Sequence, residues 1–392
     1  SDLKSLVSGK YQISVTSDNE KAAKIDGNNT VEMDESEVFA KNFTFTVKGV
    51  ILGKANIIIR LKRQKYSEWI QVREKTLKVA VLRVKNPLHQ YFTIFVGILV
   101  CINNINIGCI LDLKVIRDVL RRPIAPIIGF LCQFLFMPLA SFGLGKVFFA
   151  HNNAWKLGLF VLGCSPGGIG SNFWTLLVDG DVNLSVTMTF FSTVAALGMM
   201  PLWLFLLGKK VVDNPNFVIP YLNMIISLLA LTIPIVIGLL IQRYKPKWGE
   251  ISKKILHPFT VILLIVIILG GLYTHFYIIQ LFEWIVIFAG SSVVWGGFLF
   301  GALVSILFQL PRKQVIAVSI ETALQNPAVA FVLLQTSIAE PDADLAAIPI
   351  VGQMVVTGPP LWTLYILTLI FKRVRKRSKC SENEVDLKLT SF

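Results

Sequence analysis

Two kinds of hydrophobic pattern divide the chain. Over residues 10–85, apolar and polar positions alternate in short runs: Tyr11–Val15, Phe43–Val47, Ile57–Leu61 and Leu77–Val81. Gly27, Gly49 and Gly53 punctuate them. A period of two broken by glycines predicts strands, and the length suits a small antiparallel β-sandwich. From residue 91 the alternation gives way to nine long apolar runs, at roughly 91–112, 123–144, 155–178, 182–207, 217–241, 255–279, 282–308, 314–336 and 345–371. Most exceed the ~20 residues a helix needs to cross ~30 Å of hydrocarbon. The pattern predicts a polytopic α-helical membrane protein with about nine transmembrane helices. The change near Asn86-Pro87 predicts three segments: an extracellular β domain over 1–86, a transmembrane domain over 87–372, and a basic cytoplasmic tail over 373–392.

Two of the apolar runs are broken in the same manner. One contains Cys164-Ser-Pro-Gly-Gly-Ile-Gly-Ser-Asn172, the other Glu321-Thr-Ala-Leu-Gln-Asn-Pro327. A helix interrupted at bilayer depth exposes backbone groups that lipid cannot satisfy, so each break must face protein, water, an ion or a substrate. A matched pair of broken helices, one in each half of the chain, points to the binding site of a secondary transporter.

Composition agrees with this reading: 54% of the 392 residues are hydrophobic and 16% charged, against about a quarter charged in soluble domains. The net charge of +14 does not indicate nucleic acid, because the basic residues lie in the strand region and in the connectors. With the N-terminus outside, the inner connectors and tail carry 17 Lys/Arg, from Lys114 to Lys379, against four outside (Lys146, Lys156, Lys209, Lys210). That bias places the C-terminus in the cytoplasm and predicts an integral protein of the plasma membrane. The tail run from Lys372 to Lys379 reads as a topology anchor rather than a lipid-binding patch. Asn28-Asn-Thr and Asn42-Phe-Thr are sequons that suit an extracellular domain, whereas Asn183-Leu-Ser opens an apolar run. None of the five cysteines falls in residues 1–90. The four histidines (His89, His151, His257, His275) are scattered. No metal-ligand spacing and no nucleophile–base constellation appears, so neither an enzyme nor a bound cofactor is expected.

Glu321 is the acid placed near the middle of a run, whereas Asp112, Asp179, Asp181 and Glu283 sit at run ends. A carboxylate at that depth costs roughly 2.5–3.5 kcal/mol and persists when paired or when it serves an ion. No Lys or Arg lies deep in a run, so a cation from solution is the natural partner. The alternative is a protonated Glu321 hydrogen-bonded between helices. Oxygen-bearing residues gather at the same breaks. Ser171 and Asn172 follow the first, and Gln325 lies four after Glu321. Ser185 and Thr189, four apart, share one helical face, and Pro327 frees an upstream carbonyl. Gln133 is a lone amide in an apolar run, by itself a helix–helix hydrogen bond.

The segments Gly163–Asn172, Asp179–Thr189 and Glu321–Asn326, with Arg122-Pro-Ile and Gln133…Met137-Pro138, closely resemble the bile acid:sodium symporter family over about residues 90–372. The resemblance implies an inverted-repeat core domain with two crossing discontinuous helices, packed on a panel domain. It implies two Na⁺ sites: one of Ser171, Asn172, Ser185, Thr189 and Glu321, another of Gln133, Glu321, Gln325 and the carbonyls of Thr322 and Leu324. Asn172 and Asn326 are then substrate-side amides. Two positions depart from the family pattern: Ala323 stands where Gly is usual, and Pro327 follows the Asn. The implied activity is sodium-coupled symport of an amphipathic organic anion, of the bile acid or sulfated steroid class, by alternating access. Na⁺, the anion and the lipid bilayer are the expected partners. A receptor or adhesion protein that keeps the fold without transport, with an ectodomain partner of unknown kind, and a proton-coupled carrier are the competing readings.

Overall fold

The structure is a computed structural model that describes residues 10–34, 37, 42–65, 68–82, 87–111, 113–168, 170–212, 221–274 and 280–389. Asn86, Asp112, Ile169 and His275 lie outside the described residues, as do the side chains of His89, His257 and the tail beyond Arg373. The chain divides into two compact units, residues 1–86 with 339–345, and residues 87–338 with 346–392.

The first unit holds six strands: β1 (Lys10–Ser17), β2 (Ala23–Asp26), β3 (Thr30–Asp34), β4 (Thr46–Gly49), β5 (Gly53–Lys65) and β6 (Glu68–Val81). They form a four-stranded antiparallel sheet in the order β3-β1-β5-β6 and a two-stranded ribbon of β2 and β4. Side chains of both sheets meet around Ala22, Ala23 and Ala55, with Val47 and Val81 against them. The strand expected over 43–47 begins only at Thr46. Asn28 and Asn42 are both exposed.

The second unit is helical. Its elements are α1 (Pro87–Ile110), α2 (Leu113–Leu120), α3 (Ile124–Leu131), a π turn (Cys132–Phe136), α4 (Met137–Phe148), α5 (Asn153–Cys164), α6 (Gly170–Leu177), α7 (Val182–Val211), α8 (Tyr221–Tyr244), α9 (Pro246–Thr274), α10 (Trp284–Leu307), α11 (Arg312–Ala323) and α12 (Pro327–Ser337). The last helix, α13 (Asp342–Leu389), begins in the short segment grouped with the strands. Among the described residues, five stretches are long and apolar enough to cross a bilayer: Ile124–Phe148, Val182–Val211, Tyr221–Tyr244, Trp284–Leu307 and Asp342–Ile370. The two runs expected to be broken, 155–178 and 314–336, appear as pairs of short helices, α5 with α6 and α11 with α12. The helix over the first expected span, Ile94–Ile110, is followed by Leu113–Leu120 at an angle of 71°. Large apolar side chains such as Phe205, Leu222, Leu299 and Leu303 point outward along these helices. Water does not tolerate that much apolar surface on a monomer; lipid does. The chain is an integral, polytopic membrane protein.

Local chemistry explains where the functional helices start. Asp181 caps α7 by accepting the Leu184 N–H at 3.1 Å, and Lys209 and Lys210 close its last turn, each matching the helix dipole. Asn152 caps α5 through the Trp155 N–H at 3.1 Å. The π turn loosens the helical ladder at Phe134, and the Trp203 indole N–H of α7 donates to the Phe134 carbonyl at 2.6 Å. The core beneath is formed by Phe134, Phe160, Leu162, Met200, Leu228 and Leu334, among others. Lys156, expected in an outer connector, lies instead in the first turn of α5 and is buried, its Nζ donating to the Ala150 carbonyl at 3.3 Å. Asp344 is a second buried acid that the hydropathy pattern did not single out.

Candidate functional site

Each break follows from its residues. Pro166 has no N–H with which to continue α5, and Ser165 ends that helix in an extended conformation. Leu324 leaves α11 extended. Asn326 then starts α12, its Oδ1 accepting the Val329 N–H at 3.2 Å with Pro327 in the first turn. That is where a fixed φ and a missing N–H are favourable, so the ring of Pro327 begins a helix rather than distorting one.

The two breaks run antiparallel against each other. The Gly168 N–H donates to the Leu324 carbonyl at 2.7 Å, and the Asn326 N–H to the Pro166 carbonyl at 2.9 Å, with Gly167 opposite Gln325. Each break thus satisfies backbone groups that the other leaves open, which is the accounting a bilayer interior demands. Glycine is required at this approach. A Cβ on Gly168 would lie 2.5 Å from the Gln325 carbonyl oxygen, and one on Gly167 would run into Glu321 Oε1.

Glu321 sits in the last turn of α11 and is 1% exposed. Three hydroxyls donate to its carboxylate: Ser171 at 2.5 Å, Thr189 at 2.7 Å and Ser185 at 3.2 Å. Asn172 Oδ1 completes the cluster as a competing acceptor, 2.8 Å from the Ser185 hydroxyl and 3.3 Å from that of Thr189. All five residues expected in the first site therefore meet at one point, from α6, α7 and α11. Among the described residues Glu321 has no ion-pair partner. Each hydroxyl has one proton and at least two acceptors in reach: Ser171 also faces the Gly168 carbonyl at 2.7 Å, and Thr189 the Ser185 carbonyl at 3.0 Å. The cluster is thus rich in oxygen lone pairs, poor in donors and built around a negative charge. Hard cations take that donor set.

A second cluster lies beside it. Gln133, in the π turn and 1% exposed, donates through Nε2 to the Ser165 carbonyl at 2.7 Å and to Gln325 Oε1 at 2.8 Å. Gln325 Nε2 donates to the Thr322 carbonyl at 3.0 Å. Gln133 Oε1 is buried and accepts no hydrogen bond among the described residues, a site for a cation or a water. Gln133 and Gln325 come together as expected. The hydrogen bonds of the Glu321 carboxylate all lie in the first cluster, and the Leu324 carbonyl serves the bridge between the breaks. Ser165 is an addition: its Oγ lies 3.3 Å from Gln325 Oε1 and accepts the Asn326 N–H at 3.2 Å. Thr175, one turn beyond Ser171, is a further one, donating to Ser185 Oγ at 3.3 Å. Its four-residue spacing was the signal that would have found it. Of the expected substrate-side amides, Asn172 is engaged in the first cluster and Asn326 caps α12.

Comparison with known proteins bears on this arrangement. The model of the Sodium Bile acid symporter family matches residues 97–279, a stretch that contains Gln133, the first break and α7. The ileal sodium/bile acid cotransporter of Mus musculus is 34% identical over 282 residues, which cover 71% of this chain and 77% of that protein. The chain belongs to the sodium bile acid symporter family. Members of the family are symporters, not enzymes. The sodium-dependent organic anion transporter of Homo sapiens is 36% identical over 190 residues, 48% of this chain and 50% of that protein. The P3 protein of Homo sapiens is 34% identical over 253 residues, 64% of this chain, and the chain spans about half (52%) of its length.

Proposed function

We propose that the protein is a sodium-coupled symporter that imports an amphipathic organic anion, of the bile acid or sulfated steroid class, by alternating access. The observation that carries this reading is the buried carboxylate of Glu321, ringed by Ser171, Asn172, Ser185 and Thr189 where two broken helices cross. Na⁺ enters as co-substrate. The first cluster holds one ion through side-chain oxygens, and the second offers Gln133 Oε1, Ser165 and Gln325 to another. Half-helix ends converge on the crossing. The C-terminal ends of α5 and α11 favour a cation, and the N-terminal ends of α6 and α12, with Asn172 and Asn326, favour an anion. Two Na⁺ and one carboxylate leave a single positive charge, which one monovalent organic anion neutralises. The names of the ileal and organic anion relatives agree with that choice.

In this reading the strand unit is an extracellular β-sandwich, the helical unit spans the plasma membrane nine times as a core and a panel, and the C-terminus is cytoplasmic. Moving the core against the panel exposes the crossing to either side in turn. The deciding experiment is uptake of labelled taurocholate and a panel of steroid sulfates into cells or sealed vesicles, in Na⁺ or in choline at fixed pH. Uptake is expected in Na⁺ alone and lost in Glu321→Gln. Equal uptake in choline sinks the sodium coupling. Absence of flux across the whole panel favours the receptor reading, which the separate strand unit motivates.

A further inference from the structure

Ser192 lies outside every motif considered above. It sits on α7, seven residues after Ser185 and three after Thr189, and so continues the face that carries both. It is 5% exposed. Its Oγ accepts the Gly167 N–H at 3.2 Å and donates to the Thr189 carbonyl at 3.0 Å. With Gly168 bonded to Leu324 and Pro166 to Asn326, the Gly167 amide is a polar group of the first break that the second break does not serve. Gly167 in turn presses on Glu321: a Cβ there would run into Oε1 of the carboxylate and come within 3.4 Å of Ser192 Oγ.

We infer that Ser192 is a positioning residue of the cation cage, holding Gly167 against the carboxylate and tying the first break to the helix that supplies Ser185 and Thr189. It does not touch the ion. Removing its hydroxyl leaves a buried amide unpaired at a point where lipid and water offer no substitute. The break then relaxes and the oxygens lose their spacing. The inference rests on the proposed sodium site, and its test separates the two.

The test is Na⁺-dependent thermal stabilisation of the purified full-length protein, titrating NaCl against choline chloride at constant ionic strength. It needs no knowledge of the organic substrate. Wild type is expected to show a saturable Na⁺ shift that Glu321→Gln abolishes. Ser192→Ala is expected to raise the half-effect Na⁺ concentration about tenfold, the result of orphaning one buried amide. Ser192→Thr, which keeps the hydroxyl, is expected to restore it. Thr193→Ala is the control: its hydroxyl donates to the same Thr189 carbonyl at 2.7 Å but takes no part in the break, and its half-effect concentration is expected to match wild type. If Ser192→Ala fails to fold, Ser192→Cys decides, with an expected increase of about threefold for the weaker thiol acceptor. An unchanged half-effect concentration in the variant that folds, beside a normal wild-type response, overturns the role of Ser192 and leaves the sodium site standing. A wild type indifferent to Na⁺ overturns both.

Discussion

Among the described residues, three hydroxyls and no basic side chain hold the Glu321 carboxylate, so its charge is what a substitution tests. Glu321→Gln keeps the shape and removes the charge. It is expected to weaken cation binding by roughly 2–5 kcal/mol and to abolish Na⁺-driven uptake. Gln133→Ala removes the donor to the Ser165 carbonyl and to Gln325, a loss of about 1–3 kcal/mol. Under the two-ion reading it also lowers the Hill coefficient for Na⁺ in uptake toward one, which a Na⁺ titration of transport rates measures. At this scale the residue types and spacings carried far. Glu321 stood out by depth, and Ser185 with Thr189 by helical spacing. Ser165, Thr175 and Ser192 were not singled out, because serine and threonine are ordinary in packed membrane helices. Only the partner backbone, here the bonds of Gly167 and Asn326, separates a positioning hydroxyl from a packing one.

The two breaks were legible as elements, since Pro166-Gly-Gly and Asn326-Pro state chemically that a helix cannot continue. Their mutual pairing was not, because an antiparallel bridge of a few residues has no period to read. Gly168→Ala tests it. A methyl at that point meets the Gln325 carbonyl and is expected to destabilise the protein by about 1–3 kcal/mol, read as a lowered melting temperature in detergent. Asn326→Ala removes the α12 cap and costs about 1 kcal/mol by the same measurement. The π turn over Cys132–Phe136 holds no helix breaker of its own, but Pro138 just beyond it has no N–H to offer the Phe134 carbonyl four residues back. The turn is supported from outside, by the Trp203 indole on the Phe134 carbonyl. The short, charged strands Ala23–Asp26 and Thr30–Asp34 escaped notice for want of a long enough alternation.

For the whole molecule, hydropathy alone separated a strand unit from a helical one. It also counted two broken runs as single spans, because a window average does not register an interruption of three to five residues. Orientation follows from charge rather than from contacts and has its own test. If the N-terminus is extracellular, a glycosidase is expected to increase the gel mobility of the protein made in microsomes or cells, and Asn28→Gln with Asn42→Gln to remove that increase. A protein untouched by the glycosidase would take away the support the sequons lend to that orientation.

The bridge between the breaks also sets a condition on how the protein is made. The Leu324 carbonyl that receives the Gly168 amide emerges from the ribosome about 150 residues later, a delay of roughly 8–30 s at ordinary synthesis rates. Throughout that interval the nascent first half carries open peptide groups that hydrocarbon will not accept. It must be sheltered by the insertion machinery, held in a wet environment, or kept at the membrane surface until its counterpart arrives. Biogenesis of this chain is therefore a pairing event between distant segments rather than a helix-by-helix deposition.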